Sequence, residues 1–463
     1  MSIDGGKSMK KYLIYTILFI FISMIVFSIF AVKQCSFIWQ SDGLKQHYII
    51  LKDFNQNIRN FFANPSEGIS LFSWNMGLGL DVIGQYSYYV LGDPFAYISL
   101  LFPLESLEYT YTFLILLRLF CIGIAFICYA QYHNNKSTNI LLGAIIYTFC
   151  TFSLFAGVRH PYFLNAMILF PLLLLAVDKL LQENKKILLT ILVAVSAISN
   201  YYFFYMHTIM IVIYALIRYF CEYKKEGIKH FIKKLGSEFY CFITGVLIAG
   251  VILLPTIYAF INSARSGEEI ACQYTLDYYK SLFSINLLSA YGDNWSYIGV
   301  SSIILLMIPV FFTKLRTLKK NNTIEPNIKV YFIYLGIATI MLIVPILGSM
   351  MNGFSFPNNR WSFMYAFILS YIVTLSFDTR YTKQEIRNMC IGLVTYSVIA
   401  IMAVLSIKSD ACFIIYLIQI VLAFFMLIVI GYNNLESSIK SSYEKFNNVI
   451  KIIIKNKVTI IIF

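Results

Sequence analysis

The run Ser41-Asp42-Gly43-Leu44-Lys45-Gln46-His47-Tyr48 sets a carboxylate and an imidazole five residues apart. Such a pair can move a proton or hold a divalent cation. Asp42 and His47 are therefore the candidate catalytic groups, and the same two are the candidate ligands of a divalent cation, Mg2+ or Mn2+. Gln46 beside them is a candidate for binding substrate hydroxyls. A plainer alternative stays open at this point, in which Asp42 caps the start of a helix and does no chemistry.

Three further segments have residue types suited to a polar, anionic or sugar-like ligand. Ser73-Trp74-Asn75-Met76-Gly77-Leu78-Gly79-Leu80-Asp81 continues through Gln85, Tyr88 and Tyr89 to Gly92-Asp93-Pro94. Glycines allow tight turns, aromatic faces suit the C–H side of a sugar ring, and Asp, Asn and Gln pair with hydroxyls. Trp74, Asn75, Asp81, Gln85, Tyr88 and Asp93 are the candidate contacts there; the alternative is an aromatic plug with turns. Arg118 lies in the middle of an apolar stretch, and Arg159-His160-Pro161 at the end of another. A cation at membrane depth faces a cavity or pairs with an anion, and Arg suits a phosphate, so Arg118, Arg159 and His160 join the candidates. For Arg118 a neighbouring helix's carboxylate or carbonyls would serve equally well. Finally, Asn352-Gly353-Phe354-Ser355-Phe356-Pro357-Asn358-Asn359-Arg360-Trp361 offers Asn358, Arg360 and Trp361 immediately before an apolar run. A lipid phosphate, Asp42, Asp93 or Asp293 could balance Arg360.

The elements that must position these residues are membrane spans. The chain of 463 residues is 59% hydrophobic and 13% charged, with a mean hydropathy of +0.72, which excludes a water-soluble domain. Apolar runs of helical length recur at 12–32, 107–130, 139–157, 163–181, 187–204, 206–220, 238–260, 298–313, 330–347, 363–377, 390–406 and 412–431. The expectation is an all-α integral membrane protein of about twelve transmembrane helices, because only helices satisfy their own backbone in lipid. The formal net charge of +13 would suggest nucleic acid in a soluble chain. Here its placement explains it, with clusters such as Lys224, Lys225, Lys229, Lys233 and Lys234 on alternate loops. By the positive-inside rule these loops are cytoplasmic, as is the N-terminus, and the candidate residues gather on the opposite, extracytoplasmic side of the membrane.

Residues 1–431 form the polytopic domain, with long extracytoplasmic loops at 33–106, 261–297 and 348–362. Residues 432–463 form a basic cytoplasmic segment ending in what reads as the opening of a cut-short further span. Within the first loop, Ile50, Phe54, Ile58, Phe61 and Phe62 recur at helical spacing opposite Lys52, Asp53, Gln56, Arg59 and Asn60. That pattern predicts an interfacial helix on the outer leaflet, or else a helix capping the bundle. The nine cysteines show no metal or redox spacing and read as apolar fillers.

Taken together, the Ser41-Asp42-Gly43 and Gln46-His47-Tyr48 pair, the Phe72-to-Gly79 run, Gln85-Tyr86-Ser87-Tyr88-Tyr89 with Gly92-Asp93-Pro94-Phe95, and the Asn352-to-Trp361 run resemble the YfhO family of bacterial membrane proteins. That family looks like a branch of the GT-C glycosyltransferases. The resemblance implies a GT-C-like transferase that takes a sugar from an undecaprenyl-phosphate donor and places it on an envelope polymer. Lipoteichoic or wall teichoic acid of Gram-positive bacteria would be the acceptor, and Asp42 the essential acid of the first outside loop, as general base or metal ligand. A different class, a transporter or flippase of a lipid-linked envelope intermediate, would use the same buried cations without a base.

Overall fold

The computed structural model describes residues 3–74, 79–133, 137–262, 274–275, 278–279, 282, 295–378, 380–407 and 410–435. Asn75 and Asp293 lie outside the described residues. Each of the twelve expected spans overlaps a helix. Among the described residues seven helices are long and apolar enough to cross a membrane: Met9–Val26, Leu104–Tyr132, Tyr162–Glu183, Tyr201–Glu222, Lys224–Ala259, Pro326–Ile343 and Lys383–Met402. Thr138–Thr148, Ile187–Ser199, Ser362–Ser376 and Leu417–Tyr432 are shorter apolar helices. The protein is an all-α membrane protein; the one β pairing among the described residues sets Phe72–Ser73 antiparallel to Leu80–Asp81.

Where span boundaries differ from expectation, local chemistry accounts for it. The apolar run 187–204 is split at Asn200, whose side chain accepts from Tyr202 N at 3.1 Å and Phe203 N at 3.2 Å and so starts the Tyr201–Glu222 helix. Asparagine favours this capping geometry over continuing a helix. Pro345 holds Val344 extended and ends Pro326–Ile343. Residues 298–303 precede the Ile304–Lys320 helix rather than belonging to it.

The chain forms two compact units, and each is described by itself. The first comprises Met1–Tyr129, Ser153–Ala271 and Ser349–Phe356. Its long loop after the first span holds a wide helical turn, Gly43–His47, that runs into the helix Tyr48–Ala63. That helix forms as expected, but its apolar face is not all turned outward. Ile50, Leu51 and Phe54 are buried, with Asn55 donating to Ser99 Oγ at 2.7 Å, whereas Phe62 is 74% exposed. Its first half thus follows the capping alternative. Asp53 accepts a short hydrogen bond from Tyr86 Oη, and Arg59 donates to Leu100 O at 3.0 Å, so the helix also anchors the later part of the loop. That part docks on the corner at Asn200. Asn200 Nδ2 donates to Tyr88 O at 2.9 Å, and a Cβ on Gly92 would come 1.9 Å from the Ile198 carbonyl oxygen, so only glycine allows this approach.

A buried polar cluster in the same unit joins Tyr162–Glu183 to Tyr201–Glu222. Arg218 donates to Asp178 Oδ1 at 2.9 Å, to Glu222 Oε1 at 2.8 Å and to Tyr214 Oη at 2.7 Å. The bond to Asp178 runs between the two helices, which makes the cluster a helix-to-helix tie. In the second unit, comprising Ala130–Phe152, Cys272–Gly348 and Pro357–Phe463, Asn139 Nδ2 donates to Phe377 O at 2.7 Å and Thr374 O at 3.2 Å. Tyr147 packs on Phe367, and Tyr331 on Tyr371, within a core built around Ser362–Ser376.

Candidate functional site

The Asp42 turn is held by its backbone, not by its acid. Leu44 N donates to Trp39 O at 2.7 Å and Lys45 N to Ser41 O at 3.0 Å, and Gly43 is buried against Trp39, where a Cβ would lie 3.0 Å from Trp39 Cβ. Asp42 occupies the capping position, yet its side chain makes no capping hydrogen bond. It makes no hydrogen bond or ion pair with any described residue, although it is half-buried. A carboxylate left over after the fold's needs are met is one that a ligand can use. The helix-cap alternative is therefore not what the side chain does.

His47, 3% exposed, lies one turn along, with Nε2 2.9 Å from His160 Nδ1. Between two neutral imidazoles one ring donates and the other accepts. His47 Nδ1 is buried with no hydrogen-bond partner. Burial brings its pKa down from 6.5 to about 4, so His47 is neutral at neutral pH. Around the pair, the Tyr89 ring lies 5.5 Å from His47 and its hydroxyl donates to Gln46 Oε1 at 3.0 Å. Arg159 lies 3.6 Å from the Phe155 centroid and 5.0 Å from that of Trp39, and Trp39 meets His160 edge-on at 5.5 Å. The structure thus gathers Gln46, His47, Arg159 and His160 at the Asp42 turn.

The depressed histidine has a measurable consequence. From pH 6.5 down to 4 the unfolded chain binds a proton at position 47 that the folded chain refuses, so stability is lost as pH falls. The expected loss is about 3 kcal/mol, fully developed below pH 4, with no contribution from this group above pH 6.5. Thermal unfolding in detergent between pH 4 and 7 should show a steeper acid decline for the wild type than for His47→Gln. Parallel curves would remove this assignment.

The remaining candidates separate. Asp93 and Arg118 are found on each other: the carboxylate, 0% exposed, accepts a short bond from Arg118 NH2, another from Asn165 Nδ2 at 2.8 Å, and a third from Phe95 N at 3.2 Å. Arg118 Nε also donates to Asn165 Oδ1 at 3.1 Å, with its guanidinium 4.6 Å from the Phe95 ring. Of the two alternatives open for Arg118, the partner the fold supplies is a carboxylate of the protein itself. Asp81 accepts from Gly84 N at 2.5 Å and caps the short helix Val82–Tyr86. Trp74 is 77% exposed beside Phe72; Gln85 and Tyr88 are half-buried, with Tyr88 against Tyr89 and Tyr201.

In the second unit Trp361 is 0% exposed and donates to Asn359 Oδ1 at 3.2 Å, so it belongs to the core and offers a ligand no face. Asn358, also buried, accepts from Arg360 N at 3.1 Å while its Nδ2 has no hydrogen-bond partner. Arg360 lies 4.4 Å from the ring centroid of Trp295. Sequence reasoning missed Trp39, Asn165 and Trp295. A polar residue inside an apolar run was a usable signal for Asn165; a lone Trp at a membrane boundary gives none, since the boundary enriches it anyway.

A hard divalent cation takes several oxygen donors. Among the described residues no group of three or more His, Cys, Asp or Glu is placed to hold a metal ion. Asp42 brings one carboxylate and His47 an unpartnered Nδ1, the two groups that would hold such a cation, and no step is assigned to one.

A family model described as bacterial membrane protein YfhO matches residues 14–460. A Bacillus subtilis (strain 168) protein described as uncharacterized protein YfhO is 23% identical over 353 residues. That match covers 71% of this chain and 37% of the relative, so the chain corresponds to just over a third of the relative's length. No solved structure matches the chain.

Proposed function

The chain belongs to the YfhO family of bacterial membrane proteins, and from that premise we propose that it is a GT-C-type glycosyltransferase. It moves a sugar from an undecaprenyl-phosphate donor to an envelope polymer of the teichoic acid kind, on the extracytoplasmic face. Asp42 is the general base. The observation that carries this reading is the half-buried Asp42 carboxylate with no partner among the described residues, in a turn that also presents Gln46 and His47 beside Arg159 and His160.

The chemistry follows from location. A transferase outside the cell has no nucleotide sugar and needs a lipid-linked donor, whose phosphate is both anchor and leaving group. The acceptor hydroxyl loses its proton to Asp42 as its oxygen attacks the anomeric carbon. The bond from that carbon to the phosphate oxygen breaks, and polyprenyl phosphate leaves with the electron pair, its charge met by Arg159. Neutral His47, bonded to His160, flanks the base.

Cells with and without the gene test this through mass analysis of envelope polymers and polyprenyl-phosphate sugars. The expected result without the gene is an undecorated polymer together with accumulated lipid-linked sugar. Unchanged profiles of both would end the transferase reading.

A further inference from the structure

Trp39 has no part in the transfer just described, yet it touches most of what surrounds the base. Its carbonyl closes the turn that carries Asp42 by accepting from Leu44 N at 2.7 Å. Its Cβ fills the space beside Gly43, where even a methyl group would sit at 3.0 Å. Its indole lies 5.0 Å from the Arg159 guanidinium carbon and 5.5 Å, edge-on, from the His160 ring. One side chain thus connects the segment after the first span to the Arg159-His160 corner, more than a hundred residues later. A guanidinium stacked on aromatic rings is fixed in plane while its N–H groups stay at the rim, the arrangement that suits an oxyanion.

We propose that Trp39 is a positioning residue that orients Arg159 toward the donor phosphate and holds that cation in register with Asp42. The inference rests on the transferase reading for the identity of the anion. Without the indole, Arg159 keeps Phe155 at 3.6 Å but loses its tie to the Asp42 turn. Binding of the phosphate should therefore weaken through Arg159, not independently of it.

The test uses the full chain in nanodiscs, with undecaprenyl phosphate as the probe and binding read by native mass spectrometry. Trp39→Ala is expected to weaken binding about tenfold, and Trp39→Phe, which keeps a ring, by less than about threefold. The double variant W39A/R159A should bind no worse than R159A alone. Additive losses, or wild-type binding by W39A, would overturn the role. If W39A does not fold, W39F and W39L taken through the same cycle with R159A measure the same coupling. Normal phosphate binding in W39A beside lost transfer in D42N would sink this inference and spare the transferase; weakened binding in a chain that transfers no sugar would do the reverse.

Discussion

Replacing Asp42 with asparagine lowers sugar transfer by about a thousandfold, within the range expected for loss of a positioned general base. The substitution keeps the shape and removes only the ability to take a proton. Because the carboxylate caps nothing and pairs with no described residue, the fold does not depend on it. Melting should shift by less than about 0.5 kcal/mol, as for a surface change away from any structural feature. Undecaprenyl phosphate binding should also persist, since Arg159 and the Trp39 support are untouched. The measurement is single-turnover transfer from a labelled lipid-linked sugar in nanodiscs, alongside unfolding and binding. Wild-type transfer by D42N would remove the base from Asp42. Loss of lipid translocation, with no transfer in the wild type either, would favour the transporter instead. A large fall in stability would mean that the acid holds the turn after all.

The fold was largely legible because membrane helices advertise themselves one at a time. Each needs a run of apolar residues long enough for the bilayer, a local property of the chain. The failures at Asn200, Val344 and residues 298–303 concern where a run stops, which a single cap or proline decides. The Asp42 cluster was half legible. Asp42, Gln46 and His47 are close in sequence, whereas the bond from His47 to His160 spans 113 positions and depends on packing. Asp93 and Arg118 were legible as charges in need of partners, but not as partners of each other. Both residues were singled out because charges near a membrane demand an explanation, but each turned out to be the other's explanation. The rule that a buried cation needs an anion was right, and the sequence held no means of choosing between a ligand's anion and the protein's own.

That pairing makes the second large prediction. Arg118→Met leaves the Asp93 carboxylate fully buried with only the Asn165 amide and the Phe95 N–H to stabilise it. Removing one partner of a buried pair costs about 3–5 kcal/mol, because the remaining charge stays out of water without compensation. The expected result is a large drop in detergent unfolding temperature and poor recovery of folded protein. Asp93→Asn in the same chain removes the stranded charge and keeps a side chain that can bond Asn165, so D93N/R118M should recover most of the loss. The comparison separates the two roles open to Arg118. If it held donor phosphate, R118M would melt like the wild type and lose undecaprenyl phosphate binding, and D93N would restore nothing. If it holds the loop to the helices Leu107–Tyr132 and Tyr162–Glu183, stability falls first, and the double variant binds phosphate as the wild type does. Asp93 makes the second outcome the expected one, since its accepting bonds tie Arg118, Asn165 and the Pro94–Ile98 helix into one buried knot.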